Sequence, residues 1–417
     1  MSLISRRRLL QFGGLALGAA PLWVPSRALA GSGNNRKFLF LFTNGGWDPT
    51  YGIAPMYGHD TIDSNPNGET GSVGDISFVD GPEAPAIKNY FEAYADRTCV
   101  LHGFEVRSIT HERCKRLVMT GKSASSADDW PAQIAGHSPD YLIPHVVLSG
   151  PSFTSEYTAS VVRLGENNQF AKLLDGTSLS SATPARAPLG ATSADAVRVF
   201  RESRAAAFAA AAGRGRAQSV GASLVGANDR LDRLLAVEDL DLSSDTTGSS
   251  MDALLPALDA LQNGYARSAL MSHGGQFNVG WDTHSNAGAQ TSNFQVLFED
   301  LISLMEELDS RPGQSGGSLA EEVTVVVFSE MGRTPVYNAT GGKDHWTFTS
   351  AMFIGAGVAG GRQIGAYDDD LIGRPVDLAS GEVSDSGVAL GTDHFGATIL
   401  ALADVESEGA PIAAVLA

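Results

Sequence analysis

Apolar residues fall along this chain in two periods. Short continuous runs mark buried strands: KFLFLF at 37–42, then 98–102, 145–148, 323–328 and 351–354. Between them lie stretches of helical period. In 291–308 the residues Phe294, Leu297, Phe298, Leu301, Leu304, Met305 and Leu308 form one face. Buried parallel strands alternating with such faces predict an α/β fold, a three-layer αβα arrangement around a mostly parallel, doubly wound sheet. The Ala-, Ser- and Arg-rich residues from about 177 to 250 break the alternation. They predict a helical insertion whose apolar contacts come from Leu231, Leu234 and Leu235, with a flexible linker as the competing reading. Residues 65–74 and 313–318, rich in Gly, Ser, Asn and Pro, are expected to be exposed connections.

Ahead of the first strand stand Arg6-Arg7-Arg8-Leu9-Leu10, a Gly/Ala-rich apolar run and Ala28-Leu29-Ala30. That order is the pattern of a twin-arginine export signal with a small-residue cleavage site. The apolar run is interrupted by Gly and Pro21 and is shorter than the ~20 residues of a membrane span, which weighs against an uncleaved anchor. The expected organisation is a signal over 1–30 and a domain over 31–417, periplasmic or secreted, with no stable membrane insertion after cleavage.

The formal charge is -18, and removing Arg6, Arg7, Arg8 and Arg27 with the signal takes it to -22. Such acidity excludes nucleic acid and an anionic membrane as expected partners, since both need a basic surface. It leaves anionic substrates open, because a bound cation can outweigh the global field locally. Cys99 and Cys114 are the only cysteines. An oxidising compartment would permit a bridge, and closing a loop of ~15 residues would contribute about 3 kcal/mol. Two free thiols are the alternative.

The candidate chemistry gathers where the strands stop. The run 323–328 ends on Ser329-Glu330 and is followed by Arg333 and by Asp344-His345. Acids and imidazoles at the carboxyl ends of strands are where open α/β sheets build their sites. In WDTHSN, Asp282 and His284 are two apart, so in extended chain they project from one face as a pair of ion ligands would. The first strand runs through Gly45-Gly46 to Asp48, either a turn residue or a ligand. After the second strand come Ser108, Thr110 and His111, leading into a helix. A hydroxyl there is an N-cap, or a nucleophile whose alkoxide the helix dipole stabilises. His111 is open as a ligand, a proton shuttle or a satisfied polar residue. Arg333 fits an oxyanion through its planar fork, or a salt bridge to an acid such as Asp344. Asp344 could orient His345 from behind, although neighbouring side chains in extended chain point apart. His273 is a weaker ligand candidate, His394 reads as a cap or core residue, and His59, His137 and His145 lie in segments without convergent acids.

The ordered set WDTHSN, a following helix, FSEMGRTP, GGKDHW and a closing DHFGATILALADV resembles the exported, sulfatase-like family named domain of unknown function 1501. That family resembles the alkaline phosphatase superfamily, and the likeness covers most of the chain after the signal. It implies an alkaline phosphatase-like fold and a phosphoryl- or sulfuryl-transfer site holding one or two divalent ions: zinc, manganese, magnesium or calcium. By position, Thr110, or second Ser108, matches the nucleophile. Asp282, His284 and His345 match one ion's ligands, while Asp48 and Glu330 match a second ion's. Met331 stands where the superfamily has a histidine, which leaves the second set short. The implied function is a metal-dependent hydrolase of phosphate or sulfate esters, on small molecules or polymers. The alternative is a non-catalytic exported binding or assembly protein with a decayed site. No protein partner is implied.

Overall fold

The computed structural model describes residues 35–417, apart from 165–168, 175, 178–180, 185, 238–249 and 277–278. The expected export signal and part of the expected insertion lie outside the described residues. No helix among those described is long and apolar enough to cross a membrane.

Among the described residues twelve strands occur in chain order: β1 Lys37–Thr43, β2 Glu69–Val73, β3 Ile76–Asp80, β4 Thr98–Glu105, β5 His145–Val147, β6 Val161–Arg163, β7 Ser268–His273, β8 Val323–Ser329, β9 Gly332–Arg333, β10 His345–Trp346, β11 Phe348–Gly355 and β12 Arg362–Ile364. Eight of them form the central sheet in the order β12-β4-β11-β8-β1-β7-β5-β6. Strand β1 is buried along its whole length because it lies between β7 and β8, parallel to both. Its alternation sorts the core into two layers. Leu39 and Leu41 join one cluster with Val325 and Val327 of β8, while Phe38, Phe40 and Phe42 join the other with Val326 and Phe328.

The helices Pro85–Tyr94 and Ala289–Ser310 cover the first layer through Phe91, Phe294, Leu297 and Phe298. The helices His111–Thr120, Trp130–Gly136 and Thr392–Leu402 cover the second through Leu117, Val118, Ile134 and Phe395. The fold is the expected three-layer αβα sandwich with a mostly parallel sheet.

Three details depart from expectation, and the cysteines take the free-thiol alternative. The run 351–354 belongs to β11, which is antiparallel to both β4 and β8. Residues 330–347 contain no helix, so the chain turns back at the strand ends instead of crossing over, and such a return must be antiparallel. Residues 65–74 are not simply an exposed loop. Asn65 is buried, and β2 pairs with β3 in a hairpin of its own. Cys99 and Cys114 are buried free thiols. The helices Ala191–Ala211 and Arg216–Leu235 fill much of the expected insertion. Leu234 joins the core and Leu231 is half-buried, but Leu235, a further 100° around the helix, is exposed.

Candidate functional site

Strands β1, β4, β7 and β8 end on the same side of the sheet, and the loops leaving them meet there. After β7 the chain reaches Trp281, fully buried, whose Nε1 donates to the His273 carbonyl at 2.9 Å. Its ring packs edge-on against Trp47 and Phe294. This anchor fixes the extended segment that follows. Thr283 turns inward to accept from Gln290 Nε2 at 3.0 Å, while Asp282 and His284 turn outward together. Asp282 Oδ1 then stands 3.2 Å from His284 Nε2.

Three imidazoles surround the Asp282 carboxylate. His111 Nε2 approaches Oδ2 at 3.3 Å, His345 Nε2 approaches Oδ1 at 3.5 Å, and the His284 and His345 Nε2 atoms are 2.8 Å apart. One ligand atom from each of His111, Asp282 and His345 lies within 4.8 Å of the other two. His284 touches two members of that group from its flank.

Each ring is held from behind. His111 Nδ1 is 2.9 Å from Glu330 Oε1, His284 Nδ1 is 3.0 Å from Asp344 Oδ1, and His345 Nδ1 is 2.7 Å from the Ile109 carbonyl. All three partners are acceptors, so each Nδ1 carries a proton and donates it. In the neutral rings the three Nε2 lone pairs therefore face the carboxylate. Four electron-rich groups turned toward one another is an arrangement that a cation resolves. A tetrahedral ion with metal–nitrogen bonds of ~2.0–2.1 Å separates its ligands by roughly 3.3 Å, which is the range seen here. The donor set fits an ion that accepts imidazole together with carboxylate, such as zinc or manganese.

The charges around the group are tuned to match. Burial acts to raise the Asp282 carboxyl, but the Arg333 guanidinium, with His111 and His284, outweighs it and holds the group below the ordinary carboxylate range. The Glu330 carboxylate raises His111 against the effect of burial. His345 is pushed down, chiefly by burial.

The other predicted residues are placed as follows. Glu330 is fully buried behind His111, and its two oxygens also accept from Gly45 N–H at 3.0 and 3.1 Å. Asp344 backs His284 and not its neighbour His345, because consecutive side chains diverge. Asp48 lies outside the converging group, with Oδ1 capping the turn Pro49–Tyr51 through Thr50 N–H and Oδ2 facing Lys343 Nζ at 2.9 Å. Arg333 is fully buried and pairs with Asp282, not with Asp344. Its remaining donors reach the carbonyls of Gly45, Gly46, Trp281 and Lys343, so its fork is occupied by the protein itself. Met331 belongs to the apolar core.

Thr110 is the N-cap residue of His111–Thr120, yet its side chain makes no capping bond and is exposed. Ser108 Oγ instead accepts from the Thr110 N–H at 3.3 Å. Just before it, Arg107 takes φ 61, a costly left-handed conformation for a residue with a side chain. His273 is tied to Asp300 at 2.9 Å in the core, and His394 Nδ1 caps its helix by accepting from Gly391 N–H. Sequence reasoning overlooked Gln290, which binds Asp48 N–H and the carbonyls of Gly46 and Trp281 and so joins the β1 loop to the Asp282 loop. Its signal was a polar residue on the buried face of a helix.

The family model described as "Protein of unknown function (DUF1501)" matches residues 39–380, a range containing every residue of this site. The chain belongs to the DUF1501 family. No curated protein sequence matches it. Among solved structures, this DUF1501 chain is similar to the lipoteichoic acid synthase LtaP from Listeria monocytogenes, at 7% identity over 92% of this chain and 75% of that one, with a TM-score of 0.39. It is also similar to alkaline phosphatase from the Antarctic bacterium TAB5, at 9% identity over 89% and 99%, with a TM-score of 0.35. A third is a protein in the alkaline phosphatase superfamily from Vibrio parahaemolyticus, at 11% identity over 89% and 67%, with a TM-score of 0.37.

Proposed function

We propose that this chain is an exported, metal-dependent hydrolase of phosphate or sulfate esters that acts through Thr110. The observation that carries the reading is the convergence of the His111, His284 and His345 Nε2 atoms on Asp282, each ring fixed from behind by an acceptor. His111, His345 and Asp282 would hold the ion, with His284 beside them. When bound, a divalent ion supplies Lewis-acid polarisation of an ester's anionic oxygens.

The chain's own groups do the rest. Glu330, Asp344 and the Ile109 carbonyl keep the imidazole protons on Nδ1 and so keep the Nε2 atoms available. Thr110 adjoins His111 in sequence, and its exposed hydroxyl, 3.4 Å from Ser108 Oγ, stands at a helix N-terminus, where amide dipoles favour developing negative charge. Its Oγ1 forms a bond to phosphorus or sulfur as the ester oxygen leaves, the hydroxyl proton ending on the departing alcohol. Water then displaces Oγ1 and restores the threonine. Asp282 is half exposed, which leaves the site open to small or polymer-borne esters.

The test is ion content by mass spectrometry together with turnover of aryl phosphate, phosphodiester and aryl sulfate. Asp282→Ala is expected to lose both ion and turnover, and Thr110→Ala turnover alone. Absence of an ion, or turnover that survives both changes, would sink the reading.

A non-catalytic binding or assembly protein is the second reading, favoured by the complete internal engagement of Arg333. Retention of the ion and recovery with a partner, without turnover of any ester, would support it.

A further inference from the structure

We propose that the buried ammonium of Lys343 replaces a second divalent ion, so that the chain holds one ion and not two. The inference rests on the reading of His111, Asp282 and His345 as ion ligands.

Asp48 and Glu330 are the carboxylates that a second ion would need, and groups of the chain already face both; Asp48 Oδ2 makes no hydrogen bond and is met by the Lys343 ammonium as an ion pair. Asp48 is fully buried. Its Oδ1 accepts from Thr50 N–H at 3.0 Å and Thr50 Oγ1 at 2.7 Å, and its Oδ2 meets Lys343 Nζ at 2.9 Å. Lys343 is itself fully buried. Its ammonium reaches Thr50 Oγ1 at 3.2 Å and lies 5.6 and 5.9 Å from the ring centroids of Tyr51 and Tyr337. Those rings are joined through their hydroxyls at 2.6 Å, which closes a cage around the cation.

A buried carboxylate requires a positive partner, and here a side chain of the protein itself supplies it. Adding a dication beside that ammonium would set like charges against each other where water cannot screen them. Glu330 is closed differently, with its oxygens taken by Gly45 N–H, Ser329 Oγ and His111 Nδ1. Met331, between these elements in sequence, points into the apolar core and adds no donor.

The substitution also has a positional effect. Lys343 immediately precedes Asp344 and His345, and its carbonyl accepts from Arg333 Nη1 at 3.1 Å. Holding Lys343 to Asp48 therefore holds the segment that carries two residues of the ion site, making Lys343 a positioning residue.

The test uses the full chain, stripped with chelator and titrated separately with Zn²⁺ and Mn²⁺ by calorimetry, with ions per chain counted by mass spectrometry. The paired variant Asp48→Asn/Lys343→Met removes both charges together and avoids leaving either one buried alone. One ion per chain in the wild type, still one but bound more weakly in the paired variant, and none in Asp282→Ala, is the expected result. Two ions in the wild type, one of them lost in the paired variant, overturns this inference while leaving the proposed function standing. If the paired variant does not fold, the wild-type count decides between one ion and two. No ion in the wild type overturns the proposed function and this inference with it.

Discussion

The Nε2 atoms of His284 and His345 lie 2.8 Å apart although neither ring has a proton to place between them in its neutral form. The contact is sustained by what lies behind the rings, so the rear partners should govern ion affinity. Asp344→Asn keeps the shape but loses the charge facing His284 Nδ1. We expect ion affinity to fall by about 10–100-fold, with the fold unchanged. Competition against a fluorescent chelator measures this directly. An unaltered affinity would show that Asp344 does not tune the site.

Arg333 joins the β1 turn, the Trp281 carbonyl, Lys343 and Asp282 through a single buried guanidinium. Replacement by Met strands several carbonyls and one carboxylate. Denaturant unfolding should show a loss of about 3–5 kcal/mol. Arg333→Lys should recover little of it, since one ammonium cannot reproduce the planar fork.

Gly342 sits directly against the backbone of His284. A Cβ added there would fall 2.1 Å from both the carbonyl carbon and the carbonyl oxygen of His284. Gly342→Ala should therefore displace His284 from Asp282 and weaken ion binding by at least tenfold. Calorimetric titration of the variant would reveal normal affinity if the loop simply moves aside.

Two histidines far from the ion group give the protein a defined response to acid. Burial pushes His145 down to about 3 and His102 down to about 4. In the unfolded chain both titrate near ~6.5. Below that pH the unfolded state binds more protons than the folded state, so stability falls as pH falls. The contribution is fully present above about pH 6.5 and is lost progressively toward pH 4 and 3, on the order of several kcal/mol for the pair. Thermal midpoints of chelator-treated protein should be level above pH 7 and decline below 6.5. His145→Gln should reduce the slope. A flat profile down to pH 4 would contradict the assignment.

The strands that could be read in advance are those buried on both faces, where nothing polar interrupts the run. Strand β7 escaped notice because Ser268, Ser272 and His273 break its pattern, and Ser268 is polar in order to serve buried His145. Strand β2 escaped because its residues are mostly exposed and carry no apolar alternation. Asp282, His284 and His345 were visible as a group because acid and imidazole at strand ends have few structural uses. The rear partners were less visible. The divergence of neighbouring side chains argues against an Asp344–His345 pair, but nothing local points Asp344 to His284, and the Ile109 carbonyl has no sequence signature at all. The roles of Asp48 and Arg333 depended on which distant side chain each would meet, a matter of tertiary packing that local spacing does not encode.

The proposed ligand group draws on chain segments that begin at His111 and end at His345, and the Glu330 that supports His111 lies 219 positions further along the chain. No partly folded chain can assemble it. An ion captured there acts as a tie between the early and late halves of the polypeptide and favours the native state by mass action alone. A chelator should then behave as a mild denaturant, lowering the melting temperature by an amount that grows with the free-ion concentration withdrawn.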